Sequence, residues 1–220
     1  MDISKISQDQ KDLMDSLRDA IVEIEVEKAR DIAKKIVGKE IDPRIVIKYS
    51  IAKAGEIVGK KFDCGEMFLP HLVMVGDLME EVAAILEKNI PSEQREKKKV
   101  IVVATVQGDV HSVGKNLVSA MLKSSGFGVY DMGVDVASSA IIQKAKEVKA
   151  DMIALSSLLT TTMPYQKEII DDLVSIGLRD RFKVMIGGGP VTREYAEKIG
   201  ADGYAKDAIE AVEEAKRLLA

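Results

Sequence analysis

The chain has no tryptophan, one cysteine and two histidines, and aromatic residues make up only 4% of it. Cys64 alone cannot close an internal disulfide, and one thiol excludes a structural zinc site built on several thiolates. With so few aromatics, no obvious pair flanks the place where a flavin ring would lie. Neither a secretory signal nor an apolar run of membrane-spanning length is present, so a cytoplasmic location without a membrane partner is expected. Basic blocks are scarce: Lys97-Lys98-Lys99 stands alone in a chain of formal charge −4. Nucleic acid is therefore a poor candidate partner. What the chain has in quantity is apolar residues, 46% of its 220, which is enough for one large domain or two small ones.

The rhythm of those apolar residues changes part-way along. Leu13, Leu17, Ala20, Ile21 and Ile24 recur at helical spacing. A second helix is expected over 27–37. Asp42-Pro43 signals a third, running to about Val58. A fourth starts near Glu66 and continues towards Leu86. Four helices with short connections predict a bundle over residues 1–90. Residues 91–99 are polar, contain Pro91 and read as a linker. From residue 100 strand-like runs alternate with helical stretches: 100–106, 127–132, 152–156, 182–186 and a weak fifth at Gly203-Tyr204. Such alternation requires crossovers, hence a parallel sheet covered on both faces. The expectation is a doubly wound, flavodoxin-like (Rossmann-like) α/β domain with five parallel strands over 100–220, its ligand edge formed by loops at the strands' C-terminal ends.

Three of those loops carry unusual chemistry. The first reads Asp109-Val110-His111-Ser112-Val113-Gly114, the second Ser156-Ser157-Leu158-Leu159-Thr160-Thr161-Thr162, and the third Gly187-Gly188-Gly189-Pro190. Together they predict a broad cleft of small residues and neutral donors. No lysine or arginine clusters in them, so a polyphosphate ligand does not fit, whereas one phosphodiester does. The first loop is not Gly-x-Gly-x-x-Gly, which leaves little weight to Asp131 or Asp135 as a ribose-binding acid.

His111 poses a metal question. Zinc takes three or four protein ligands, and the other histidine, His71, and Cys64 lie in the helical half. A single histidine suits a metal whose equatorial nitrogens already come from a macrocycle. Asp109, two residues earlier, can then accept the proton of the other ring nitrogen, fixing the tautomer and raising ligand basicity.

These residues resemble a known signature. Asp109-x-His111-x-x-Gly114, Ser156-x-Leu158 and Gly187-Gly188, in that order at strand ends, are similar to the motif of cobalamin-binding domains. The segment from Phe62 to Pro70 resembles the helical cap of the same family, as found before the cobalamin module of methionine synthase. The resemblance covers nearly the whole chain and points to a free-standing corrinoid protein of methyltransferase systems, methylamine or methanol type.

The resemblance implies a cobalamin or related corrinoid with His111 as the lower cobalt ligand and Asp109 hydrogen-bonded to it. Thr162 would continue that relay. Ser156 and Leu158 would line a slot for the displaced nucleotide tail. Gly187 and Gly188 would let the tail pass close to backbone, and Gly114 would open space beside the histidine. Ser112, Val113 and Thr160 complete the implied contacts, and Phe62 and Leu69 would lie over the methyl-bearing face. The implied role is methyl carriage rather than stand-alone catalysis. Cobalt(I) would take a methyl group from a substrate-specific corrinoid methyltransferase. A second methyltransferase, acting on coenzyme M or a folate, would collect it, and a reductive activation protein would maintain the cofactor. A methylamine is the favoured donor class; methanol, glycine betaine and methoxylated aromatics remain open. The alternatives are a cobalamin-binding sensor module and the cobalamin-binding subunit of a mutase.

Overall fold

A computed structural model describes residues 6–39, 41–88, 90 and 98–220. Most of the expected linker, residues 91–97, lies outside the described residues. The chain divides into two compact units, residues 1–97 with 123–126, and residues 98–122 with 127–220.

The first unit is helical. Helix α1 (Gln8–Val22) opens on a capping box, in which Ser7 and Gln10 satisfy each other's backbone N–H groups. It buries Met14, Leu17, Ala20 and Ile21. The expected continuation to Ile24 does not occur. Ile24 adopts φ +58° and the Glu25 N–H turns back to the Ala20 carbonyl, so the helix ends two residues early. Helix α2 is Val26–Val37. Asp42 accepts from the Arg44 N–H and Pro43 occupies the first turn, starting α3 (Pro43–Val46). A π-helical stretch, Ile47–Ile51, joins it without a break to α4 (Ala52–Asp63). The third rod thus runs past Val58 to Asp63. Helix α5 (Leu69–Glu87) begins three residues later than Glu66 because Gly65, at φ +79°, turns the chain. The Phe68 N–H then donates to His71 Nδ1 and closes the first turn. Leu72, Val75, Met79, Val82 and Leu86 form the buried stripe of α5.

The second unit carries strands β1 (Val100–Thr105), β2 (Gly128–Asp131), β3 (Met152–Ser156), β4 (Lys183–Gly187) and β5 (Gly203–Ala205). They form one sheet in the order β2-β1-β3-β4-β5, every pair parallel. That order places the reversal of winding at β1 and β3, whose C-terminal ends lie in register, Thr105 against Ser156. The crossovers are α6 (Val113–Ser124), α7 (Ser138–Glu147), α8 (Met163–Ser175) and α9 (Arg193–Ile199), and α10 (Ala208–Leu218) closes the chain.

Strand alternation sorts the core. Val102, Ala104, Ile153, Leu155, Val184 and Ile186 belong to one apolar cluster with residues of α7, α8 and α9. The alternate positions, Val103, Ala154 and Met185, point to the other face. Among the described residues no helix is long and apolar enough to cross a membrane.

Candidate functional site

The site is built where β1 and β3 end side by side. Gly108, at φ +77°, turns the chain after β1. This brings Asp109 fully under cover. One carboxylate oxygen, Oδ1, accepts from the His111 backbone N–H (3.1 Å) and lies 2.8 Å from His111 Nδ1. The other, Oδ2, accepts from the Leu158 N–H (2.7 Å), from the Thr162 hydroxyl (2.8 Å) and, more weakly, from the Leu159 N–H (3.3 Å). With the Thr162 proton directed at Asp109, the Ser157 hydroxyl donates to Thr162 Oγ1 at 2.7 Å. A continuous chain therefore runs His111–Asp109–Thr162–Ser157, its first two members after β1 and the others after β3. The Thr105 hydroxyl donates to the His111 carbonyl (2.9 Å) and pins the loop from below.

Burial by itself would raise the Asp109 pKa. The donors from Leu158, His111 and Thr162 outweigh it and hold the carboxyl well below the usual carboxylate range. Asp109 is thus ionised at neutral pH and holds the proton of His111 on Nδ1. Nε2 is then the ring nitrogen turned away from Asp109, on a side chain that is 47% exposed.

Beside the imidazole lies a cavity of about 520 Å³. It runs between the sheet face of Val103, Ala154 and Met185 and the helices α6 and α10, which contribute Leu117, Val118, Ala208 and Ala211. Alanine and glycine at so many wall positions give it its width. Of the residues singled out in the sequence, His111, Ser112, Val113, Gly114, Ser156, Leu158, Gly187 and Gly188 all line this one space. Asp109 and Thr162 stand behind it, buried. Thr160 is exposed at the tip of the turn closed by the Thr162 N–H and the Leu159 carbonyl, outside the cavity wall. Phe62, near the end of α4, and Leu69, the first residue of α5, are half-buried in the helical unit.

The three motif glycines differ in kind. A Cβ at Gly114 would meet no protein atom within 4 Å, so the space beside it is open. One at Gly187 would lie 2.7 Å from the Ala205 carbonyl oxygen. Gly188 has φ +127°, and a Cβ there would fall 1.8 Å from the Ser157 carbonyl oxygen. At these two positions close backbone approach within the protein already requires glycine.

Sequence reasoning missed a fourth loop. Lys206, Asp207 and Ala208, after β5, also line the cavity. Asp207 accepting from the Glu210 N–H marks a helix start and was the available signal. It also missed Gln166, fully buried on α8, whose amide donates to the Leu155 (3.2 Å) and Gly187 (3.0 Å) carbonyls and ties the ends of β3 and β4 together. Among the described residues no group of three or more His, Cys, Asp or Glu is arranged to hold a metal ion. The donor set fits a metal that brings its own equatorial ligands: one neutral imidazole nitrogen, a fixed tautomer, an open flank at Gly114, and a long apolar slot for an appended group.

Comparison with known proteins agrees with that fit. Two models described as B12 binding domains match the chain, one over residues 99–213 and one over residues 13–87. The chain belongs to this B12-binding family of corrinoid proteins. Within it, similarity runs along nearly the full length to dimethylamine corrinoid proteins. Dimethylamine corrinoid protein 2 of Methanosarcina acetivorans is 47% identical over 211 residues, covering 95% of this chain and 97% of the relative. The dimethylamine corrinoid protein of Methanosarcina barkeri is 46% identical, covering 96% and 99%. Among solved structures, the methanol:cobalamin methyltransferase complex of Methanosarcina barkeri matches with a TM-score of 0.83 at 26% identity, covering 98% of this chain and 85% of that one. A cobalamin-binding protein of Desulfitobacterium hafniense matches with a TM-score of 0.70 at 31% identity, covering 94% and 98%.

Proposed function

We propose that this protein is a methyl carrier of a dimethylamine-type corrinoid methyltransfer system, with the corrinoid cobalt ligated from below by Nε2 of His111. The observation that carries the ligand assignment is the fixed tautomer: Asp109 occupies Nδ1 at 2.8 Å, leaving one neutral nitrogen for the metal. When bound, the corrin cobalt supplies the centre that takes up and gives back the methyl group. The protein's own residues control how it is held. Asp109 keeps the imidazole oriented and makes it a stronger donor. Thr162 and Ser157 keep Asp109 ionised and in place. Asp109, Ser157 and Thr162 are all buried, so water does not compete for the hydrogen bonds that orient the imidazole. Leu117, Val118, Ala208 and Ala211, with Ser156 and Leu158, line the slot and would hold the appended nucleotide tail there.

Phe62 and Leu69, half-buried in the helical unit, would take the cap role that the resemblance of residues 62–70 implies. The partners are a dimethylamine-specific corrinoid methyltransferase, a second methyltransferase that passes the methyl group to coenzyme M or a folate, and a reductive activation protein. The relatives' names and their end-to-end similarity support the choice of dimethylamine.

Reconstitution with hydroxocobalamin is expected to give a red protein with cobalt stoichiometric to chain; a cobalt-free product refutes the reading. In the cobalt(II) state, electron paramagnetic resonance of protein labelled with 15N-histidine should show the doublet splitting of a 15N ligand in place of the 14N triplet, and His111→Ala should lose that doublet. A 14N triplet from the labelled wild type removes His111 from the metal. Methyl uptake from dimethylamine, against monomethylamine and methanol, with each cognate methyltransferase tests the donor.

A further inference from the structure

The segment from Asp131, the last residue of β2, to Asp135 in the loop that follows belongs to none of the motif segments, yet it holds the histidine loop at both ends. Lys115 follows Gly114 in the first turn of α6 and is only 3% exposed. Its ammonium donates to both carboxylate oxygens of Asp131, at the end of β2, and to Asn116 Oδ1 (2.7 Å). Asp131 also accepts from the Ser119 hydroxyl (2.7 Å) and the Gly133 N–H (2.9 Å). Every proton of the ammonium is thus taken, and the cavity wall at Lys115 presents no free cation.

Four residues beyond Asp131, Asp135 takes φ +54°, a conformation that non-glycine residues seldom adopt. There its carboxylate accepts from the Gly108 N–H (2.7 Å), and its own N–H donates to the Asp109 carbonyl (2.9 Å). The segment carrying His111 is therefore fastened before the histidine, at Gly108 and Asp109, and after it, at Lys115. Both fastenings come from one neighbouring segment, residues 131–135.

We propose that the Lys115–Asp131 ion pair and Asp135 form a positioning clamp that sets the height and tilt of the His111 ring, and so the strength of its bond to the corrinoid cobalt. None of the three needs to touch the metal. The inference rests on the reading of His111 as the lower ligand. A pair that served stability alone would alter the unfolding midpoint and leave the histidine-ligated fraction unchanged.

The test uses the full chain with Asp131→Asn and Asp135→Gly. The second variant suits a positive φ, removes the side chain with its carboxylate while keeping the backbone N–H that donates to Asp109, and decides the matter if Asp131→Asn, with Lys115 unneutralised, fails to fold. Two readouts are taken. Electron paramagnetic resonance of the 15N-histidine-labelled, hydroxocobalamin-loaded protein, reduced to cobalt(II), gives the histidine-ligated fraction as the share of 15N doublet. Amide hydrogen exchange of residues 108–115 in the cofactor-free protein reads the clamp directly. The expected result is a reduced histidine-ligated fraction in both variants and exchange faster by on the order of tenfold. Unchanged exchange overturns the clamp. Faster exchange with an unchanged spectrum overturns its positioning role. If the labelled wild type itself shows no 15N doublet, the ligand assignment has failed, and the positioning role fails with it.

Discussion

Replacing Gly188 with alanine places a methyl carbon 1.8 Å from the Ser157 carbonyl oxygen and 2.7 Å from its carbon. Relief requires the β4 loop to move away from the β3 loop by more than an ångström. The new residue must also hold φ +127°, a region that only glycine visits cheaply. Backbone strain contributes about 1–3 kcal/mol and overpacking a similar amount, giving roughly 2–6 kcal/mol against a total stability of about 5–15 kcal/mol. The urea midpoint of the cofactor-free sheet unit should fall by about 1–3 M, with amide exchange at β3 and β4 accelerating in parallel. Gly114→Ala is the matched contrast. No atom lies within 4 Å of the added methyl group, and alanine is the better helix former. The cofactor-free protein should therefore gain about 0.5–1 kcal/mol. Hydroxocobalamin binding should weaken by on the order of tenfold, because the methyl group enters space that the corrinoid needs. A Gly188→Ala midpoint equal to wild type refutes the packing argument. Unimpaired binding by Gly114→Ala refutes the placement of the cofactor beside α6.

Three further outcomes are expected. Thr162→Val should cost about 1.5–3 kcal/mol by removing a hydrogen bond to an ionised carboxylate, with Thr162→Ser restoring most of it, as read by chemical denaturation. Asp109 and Asp131 both have carboxyls held below the usual value near about 3.9. The folded state then binds fewer protons than the unfolded chain, so their stabilisation is complete above about pH 5 and is lost as pH falls through the depressed values. Asp109→Asn should be less stable than wild type at pH 7 but lose less on acidification, and parallel pH profiles would refute the assignment. In the loaded protein, Asp109→Asn should also lower the histidine-ligated fraction of cobalt(II) without abolishing cofactor uptake, since the slot is untouched.

The legible parts of this fold are those whose signal is local. β1 and β3 are buried on both faces and read as unbroken apolar runs, so their ends were placed within a residue. β2, at the sheet edge with Tyr130 and Asp131 exposed, was overestimated at both ends. The π-helical stretch at 47–51 and the positive φ of Ile24 have no compositional mark: the first interrupts an apolar pattern that reads as one continuous helix, and the second falls on a β-branched residue that the helical spacing includes. In the site, Asp109, His111 and Thr162 were within reach because their chemistry constrains residue type. Lys115 and Asp131 were not: sixteen positions apart, they look like two solvated charges until strand order makes them neighbours.

One carboxylate joins two loops that are far apart in sequence. Asp109 is bonded to His111 on its own loop and to Leu158 and Thr162 on the other, and the register of Thr105 against Ser156 makes those loops leave the sheet together. For protein engineering this makes the two segments a single cassette. A β3 loop transplanted from a relative keeps its shape only if it brings the N–H at 158 and a hydroxyl at 162, and a redesigned histidine loop works only on a host that already supplies both.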